Sequence, residues 1–87
     1  MYSIFLHPLA DKFLNNIDKV VGEQIKKKIR ELKQFPERGK PLKYTNFWSL
    51  RIGDYRAIYE INKKENKIIV LFIGHRDNVY DDISKLF

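Results

Sequence analysis

The chain has 87 residues, of which seventeen are Lys or Arg and eleven are Asp or Glu, so its formal net charge is +6. This length is too short for two domains that each hold a hydrophobic core, and we expect a single domain over residues 1–87. No apolar run is long enough to form a transmembrane helix, and the absence of cysteine excludes a disulfide framework and thiol catalysis.

The first half of the chain predicts one strand and a helical hairpin. Residues 2–6 are mainly apolar and precede Pro8, which cannot donate a backbone hydrogen bond, so they predict a strand. Apolar residues at helical spacing predict a helix over 9–17 and a longer one over 20–35 that ends before Pro36. The apolar stripe of the longer helix consists of Val21, Ile25, Ile29 and Leu32.

The second half predicts a three-stranded antiparallel meander that follows a loop over 37–46. Residues 47–52 alternate, which places Trp48, Leu50 and Ile52 on one face. The dipeptide at 53–54, glycine then aspartate, predicts a tight turn that leads into a return strand over 55–61.

Residues 68–73 are apolar throughout and predict a central strand that is buried on both faces. The chain then leaves the sheet over 74–78, and residues 81–87 predict a short helix with acids at its start. The predicted fold class is therefore α+β: an N-terminal strand, a helical hairpin, a meander that completes a four-stranded sheet, and a short C-terminal helix.

Between Arg38 and Gly53 the chain contains basic residues and aromatic rings but no acidic residue. The basic residues are Arg38, Lys40, Lys43 and Arg51, and the interleaved rings are Tyr44, Phe47 and Trp48. Cations for phosphates and flat rings for bases are typical of a surface that binds single-stranded nucleic acid. The alternatives are a Lys-rich surface that only meets solvent and, for Trp48, a place in the core.

With the turn at 53–54, Arg51 lies opposite Arg56 on one face of the predicted hairpin. Like charges in this position destabilise a sheet by up to about 1 kcal/mol. A neighbouring acid such as Glu60, Asp54 or the pair at 81–82 would neutralise them. The other interpretation is a cationic cleft for phosphate, because arginine stays charged and presents a planar fork to phosphate oxygens.

Three further candidate groups follow the apolar strand. His75 is suited to proton transfer near neutral pH, Arg76 to stabilising a pentacoordinate phosphate, and Tyr80 to orienting or stacking a nucleotide. A packed or exposed histidine without a role is the alternative for His75. The sequence has no glycine-rich phosphate loop and no serine elbow, and it offers few zinc ligands, so we expect no metal and no cofactor. RNA cleavage would then use the substrate's own 2′-hydroxyl.

The pattern Arg-X-Gly-Asp-Tyr-Arg-X-X-Tyr over 51–59, followed by Gly-His-Arg at 74–76 and Val-Tyr at 79–80, resembles the RelE branch of the RelE/ParE toxin superfamily. The resemblance covers nearly the whole chain and implies the RelE fold, which is similar to that of microbial ribonucleases. It also implies the toxin of a type II toxin–antitoxin module. Such toxins are cytoplasmic and cleave mRNA in the ribosomal A site, by attack of a 2′-hydroxyl on the adjacent phosphate.

The same resemblance implies partners and roles. The partners would be the ribosome, mRNA and an acidic RelB-type antitoxin, with operator DNA reached only through the antitoxin. Arg56 would stabilise the transition state, and Arg76 would protonate the leaving 5′-oxygen or stabilise its charge. Tyr80 would stack on and orient the substrate, while Arg51 stands where some members have a lysine. We expect RNA contacts at Arg38, Lys40, Lys43 and Ser49.

Ser49 departs from the family pattern, because the best-known members have a second lysine there and serine cannot act as a cationic base. The proton acceptor is therefore His75, Arg51 or Tyr80, or the reaction relies on electrostatics alone. Two alternatives remain: a ParE-like toxin that binds DNA gyrase without nuclease chemistry, and a nucleic-acid-binding module with a degenerate site. ParE-like members generally lack the full set of three arginines and the tyrosine.

Overall fold

A computed structural model describes residues 1–77 of the chain. The C-terminal helix predicted over 81–87 lies outside the described residues, as does Tyr80. The elements, in chain order, are β1 (Ser3–Leu6), α1 (Pro8–Asn16), α2 (Lys19–Arg30) with a 3-10 turn (Glu31–Lys33), β2 (Lys40–Pro41), β3 (Phe47–Ile52), β4 (Tyr55–Asn62) and β5 (Lys67–His75).

The strands form one five-stranded mixed sheet in the order β1-β5-β4-β3-β2. Strand β1 runs parallel to β5, whereas the other neighbours are antiparallel. The α+β class, the helical hairpin and the antiparallel meander are confirmed. The sheet has five strands rather than the predicted four, because residues 40–41 pair with β3 within the stretch that was predicted as a loop.

The two helices begin where local side chains satisfy free backbone donors. His7 Nδ1 accepts a hydrogen bond from the Leu9 amide, and Pro8 occupies the first turn, where an amide hydrogen is not needed. The Asp18 carboxylate accepts bonds from the amides of Val20 and Val21, which separates α2 from α1. These caps fix the hairpin with only a short break between its helices.

The core lies between the helical hairpin and one face of the sheet. Its helical side chains include Leu14, Ile25 and Ile29, and its sheet side chains include Leu50, Ile52, Ala57, Tyr59, Ile68 and Val70. The predicted alternation in β3 is confirmed, because Leu50 and Ile52 are buried in this cluster and Trp48 packs against it. The Trp48 ring also stacks on Tyr59, with ring centroids 6.3 Å apart.

The prediction for β5 was wrong in three respects. This strand lies between β1 and β4, and β4 occupies the middle of the sheet. Ile69, Leu71 and Phe72 are half-buried rather than fully enclosed. The strand also continues through His75, because backbone pairing with β4 extends to the match of His75 with Tyr55. Backbone pairing across a sheet does not depend on the apolar run that defined the predicted boundary.

Candidate active site

The face of the sheet opposite the helices carries two arginines from neighbouring strands. Strand pairing places Arg51 of β3 directly opposite Arg56 of β4, as predicted, and Arg56 opposite Gly74 of β5. The neighbouring row of paired residues, two positions closer to the N-terminal end of β3, contains Ser49, Ile58 and Phe72. We call this surface, defined by Ser49, Arg51, Arg56, Ile58 and Phe72, the arginine face.

The two arginines are held differently. The Arg56 side chain is half-buried, and its Nη1 donates a hydrogen bond to Ser49 Oγ at 3.3 Å. The Arg51 side chain is exposed, and its Nε lies 3.4 Å from the carbonyl oxygen of Gly53. One guanidinium is therefore fixed from inside the sheet and the other extends from the turn, an arrangement suited to holding an anion between two cations.

Ser49 is buried, with an exposed fraction of 3%. A buried hydroxyl needs a hydrogen-bond partner, and here the partner is the guanidinium of Arg56. The sequence placed Ser49 among RNA contacts, whereas the structure places it beneath Arg56. Its geometry favours positioning of the arginine over direct contact with RNA.

Arg76 lies at the same end of the sheet as the arginine pair. Its amide donates a 2.8 Å hydrogen bond to the carbonyl of Asp54, the second residue of the turn that joins β3 and β4. The Arg76 side chain is exposed, and its Nε lies 3.9 Å from a carboxylate oxygen of Asp77. The turn thus brings Arg76 close in space to a pair that precedes it by twenty or more positions in the sequence.

His75 does not lie on the arginine face. It pairs with Tyr55, which lies on the helix side of the sheet. The rings of His75 and Tyr55 meet edge-on, with centroids 5.9 Å apart. Tyr55 in turn contacts Phe13 of α1 edge-on, also at 5.9 Å. His75 Nδ1 accepts a 3.3 Å hydrogen bond from the Asp77 amide. The structure therefore separates His75 from Arg51 and Arg56 by the thickness of the sheet.

The predicted basic RNA contacts are spread over different surfaces. Lys40 pairs with Ser49 in the ladder, which places it beside the arginine face. Arg38 lies elsewhere, against the ring of Phe35 and 3.4 Å from a carboxylate oxygen of Glu31. The stretch that contains no acid in sequence thus gains one in space, from the 3-10 turn that follows α2. Lys43 lies in the loop before β3, with Nζ 5.4 Å from the centroid of the Tyr44 ring.

The segment that pairs with Ser49 is held by a tyrosine that the sequence analysis missed. The Tyr59 hydroxyl donates to the carbonyl of Pro36 at 2.7 Å and accepts from the amide of Gly39 at 3.1 Å, so it holds the segment before β2 against the sheet. Burial raises the pKa of Tyr59 above its ordinary value; the bond from Gly39 opposes this shift and the charge of Glu37 adds to it. Its position in the apolar alternation of β4 was the available indication that it is buried.

Within residues 1–77, no group of three or more His, Asp or Glu side chains is gathered as a metal site. Neither described helix combines the length and the apolar character required to cross a bilayer.

A family model for the ParE toxin of type II toxin–antitoxin systems matches residues 4–80. The chain belongs to this toxin family, within the RelE/ParE superfamily. It is therefore the toxin of a type II toxin–antitoxin module. No curated protein sequence matches it significantly.

Solved structures of RelE proteins resemble the toxin along most of their length. A chain of the RelBE2 toxin–antitoxin complex from Mycobacterium tuberculosis is 25% identical, with 86% of this chain and 98% of that chain covered and a TM-score of 0.79. A double arginine-to-alanine mutant of E. coli RelE in the free state is 25% identical, with 99% and 97% covered and a TM-score of 0.79. The chain of the archaeal RelE–RelB complex from Pyrococcus horikoshii OT3 is 26% identical, with 86% and 94% covered and a TM-score of 0.74.

Proposed function

We propose that the toxin is a ribosome-dependent endoribonuclease that cleaves mRNA in the A site and so inhibits translation. The observation that carries this proposal is the register of Arg51 with Arg56. Two guanidiniums on one face repel each other, whereas a phosphate between them is attracted to both. The similarity to RelE structures supports the same proposal.

The proposed reaction uses no metal ion. The RNA 2′-oxygen attacks the adjacent phosphorus and the bond from phosphorus to the 5′-oxygen breaks, which leaves a 2′,3′-cyclic phosphate and a 5′-hydroxyl end. Arg56, held by Ser49, stabilises the added negative charge of the pentacoordinate phosphate together with Arg51. Arg76, next to the same turn, stabilises the departing 5′-oxygen.

The proposal excludes His75 from proton transfer, since it lies on the helix side of the sheet. Activation of the 2′-hydroxyl is then assigned to the field of the two arginines, which favours the alkoxide form. The 2′-hydroxyl proton passes to solvent water, and the departing 5′-oxygen takes a proton from water. Tyr80 is proposed to stack on and orient the substrate, the role that the resemblance to RelE implies.

The proposed partners follow from charge and from the surface next to β1. A groove of about 600 Å³ lies between β1 and α2, with apolar and basic side chains in its lining. The apolar ones include Ile4, Leu6, Leu14 and Ile29, and the basic ones are Lys26, Arg30 and Lys33. This chemistry fits an acidic segment with apolar side chains. We therefore propose that a RelB-type antitoxin binds the toxin, and that operator DNA is contacted only through it.

The net charge of +6 also favours approach to ribosomal RNA in the cytoplasm.

Primer-extension mapping of mRNA 5′ ends in a translating extract tests the nuclease proposal. Wild type should produce codon-spaced cuts, and Arg56→Ala and Arg76→Ala should each remove them. Lys64→Ala, in the exposed turn between β4 and β5, is the matched loss of a cation far from the arginine face and should leave the cuts unchanged.

The family description favours one alternative, a ParE-like toxin that binds DNA gyrase and performs no nuclease chemistry. This alternative predicts intact mRNA together with DNA breaks in cells that express the chain. Intact mRNA without growth arrest would instead indicate a nucleic-acid-binding module with a degenerate site.

A further inference from the structure

The loop between β2 and β3 presents one tyrosine in an unusual way. Tyr44 has a φ of 65°, in the left-handed region, where a side chain crowds the backbone. It is also 93% exposed, so packing against the protein does not compensate for the crowding. A bulky aromatic residue in this conformation and at this exposure is unfavourable for the isolated chain.

The other left-handed positions in residues 1–77 are occupied by residues that tolerate the conformation. Gly53, at the turn between β3 and β4, has a φ of 59°, and Asn66, before β5, has a φ of 55°. Glycine and asparagine are the ordinary residues for such positions. The contrast indicates that the ring at position 44 is retained for contact with something outside the described chain.

The loop that carries Tyr44 is fixed by hydrogen bonds between the residues that precede and follow position 44. Thr45 donates through its amide and its hydroxyl to the carbonyl of Leu42, at 3.2 Å and 2.9 Å. The amide of Phe47 donates to Thr45 Oγ1 at 3.1 Å, and the Leu42 amide donates to the Phe47 carbonyl at 2.8 Å. Because the backbone on either side of Tyr44 is already fixed, the loop loses little conformational entropy when a partner stacks on the ring.

The loop lies at the end of the arginine face that is distant from the arginine pair. Leu42 and Phe47, which flank the loop, pack with Ile58 and Phe72 on that face. Phe47 precedes Arg51 by four positions on β3, which corresponds to about 13 Å along the strand. An RNA strand with one phosphate at the arginine pair would therefore reach the loop within a few nucleotides.

We propose that Tyr44 stacks on a nucleobase of single-stranded RNA while Lys43 contacts a neighbouring phosphate. The proposal rests on the proposed function, which places RNA on the arginine face. An exposed ring with a cation beside it is the combination by which proteins bind single strands, because every base has a flat face. Tyr44 contributes affinity for the strand without selecting a sequence.

The test compares Tyr44→Asn, which tolerates the left-handed conformation but lacks a ring, with Tyr44→Phe, which keeps the ring. The probe is a fluorescein-labelled 2′-O-methyl oligoribonucleotide, which lacks the attacking hydroxyl, and the control probe is an abasic oligomer of the same length. Tyr44→Asn should weaken binding of the first probe by about 5- to 100-fold and leave binding of the abasic probe unchanged. Tyr44→Phe should bind both probes like wild type.

Two further readouts separate stacking from a general defect. Tyr44→Asn should melt at or above the wild-type temperature, since it relieves crowding, and it should keep the wild-type salt dependence, since it removes no charge. Unchanged binding by Tyr44→Asn, equal weakening for both probes, or no detectable binding by wild type would each overturn the proposal.

The outcome is separable from that of the nuclease proposal. Ring-dependent binding together with intact mRNA in the translating extract would support the stacking role and contradict the nuclease. Codon-spaced cuts together with unchanged binding by Tyr44→Asn would contradict the stacking role alone.

Discussion

Gly39 is the position at which a small substitution should disturb the site most. A Cβ added there would lie 2.6 Å from the carbonyl oxygen of Ser49 and 2.8 Å from the hydroxyl of Tyr59. Both neighbours are constrained, since the first is backbone of β3, which is paired on both sides, and the second bonds the Pro36 carbonyl. Gly39→Ala must therefore move β2 and its preceding segment away from β3 and Tyr59.

The cost follows from two contributions. Overpacking against rigid neighbours costs about 1–3 kcal/mol, and loss of the hydrogen bond from the Gly39 amide to Tyr59 adds about 1 kcal/mol. The expected loss of unfolding free energy is about 2–4 kcal/mol, which lowers the melting temperature of a domain of this size by roughly 10–30 °C. Urea denaturation monitored by Trp48 fluorescence measures it directly.

Gly53→Ala is the matched control. Gly53 has a φ of 59° but no atom within 4 Å of the added Cβ, so this variant should lose about 1 kcal/mol from backbone conformation alone. Amide resonances of Ser49 should shift in Gly39→Ala and stay in place in Gly53→Ala. A Gly39→Ala protein that unfolds at the wild-type urea concentration, with Ser49 undisturbed, would refute the reasoning.

Three further predictions concern charge, hydrogen bonding and pH. Arg51→Thr should raise the unfolding free energy by up to about 1 kcal/mol at low salt while abolishing mRNA cleavage, and a destabilised variant would mean that Arg51 and Arg56 do not repel each other. Ser49→Ala should reduce the cleavage rate, because it releases Arg56, and should lower the melting temperature only slightly. An unchanged rate would contradict the positioning role of Ser49. Tyr59→Phe should lower the unfolding free energy by about 1–3 kcal/mol below pH 10. This difference from wild type should shrink as pH rises above 10, because the raised pKa of Tyr59 favours the neutral phenol in the folded state. A pH-independent difference would contradict this.

The sequence predicted those parts of the fold that depend on local pattern. The alternation of Trp48, Leu50 and Ile52 determined which face of β3 is buried, and the turn at 53–54 then determined that Arg51 opposes Arg56. Strand β2 has two residues, one of them proline; it pairs with β3, and the Tyr59 hydroxyl holds the segment just before it. Such pairing has no periodic signature, so sequence reasoning predicted a loop.

The candidate site was predicted less completely than the fold, for a similar reason. His75 was grouped with the arginines because it is close to Arg76 in sequence. In β5, however, it is Gly74 that lies opposite Arg56, and adjacent residues of a strand point to opposite faces, so His75 lies on the other side of the sheet. Arg38 was grouped with Lys40, but the chain bends between them and brings Arg38 to Glu31 of the turn after α2. In both cases the placement depends on how distant segments pair and pack, which spacing along the chain does not record.

The parallel pairing of β1 with β5 has a consequence for synthesis of the toxin. Ser3 pairs with Lys67, a separation of 64 positions, so the first strand waits for its partner until most of the chain has been translated. At about 5–20 residues per second, this wait lasts roughly 3–13 s. The hairpin that carries Arg51 and Arg56 is local and forms sooner, because its loop is short. We therefore expect a nascent toxin whose cationic hairpin precedes its closed sheet, and which remains open to capture along β1 for several seconds.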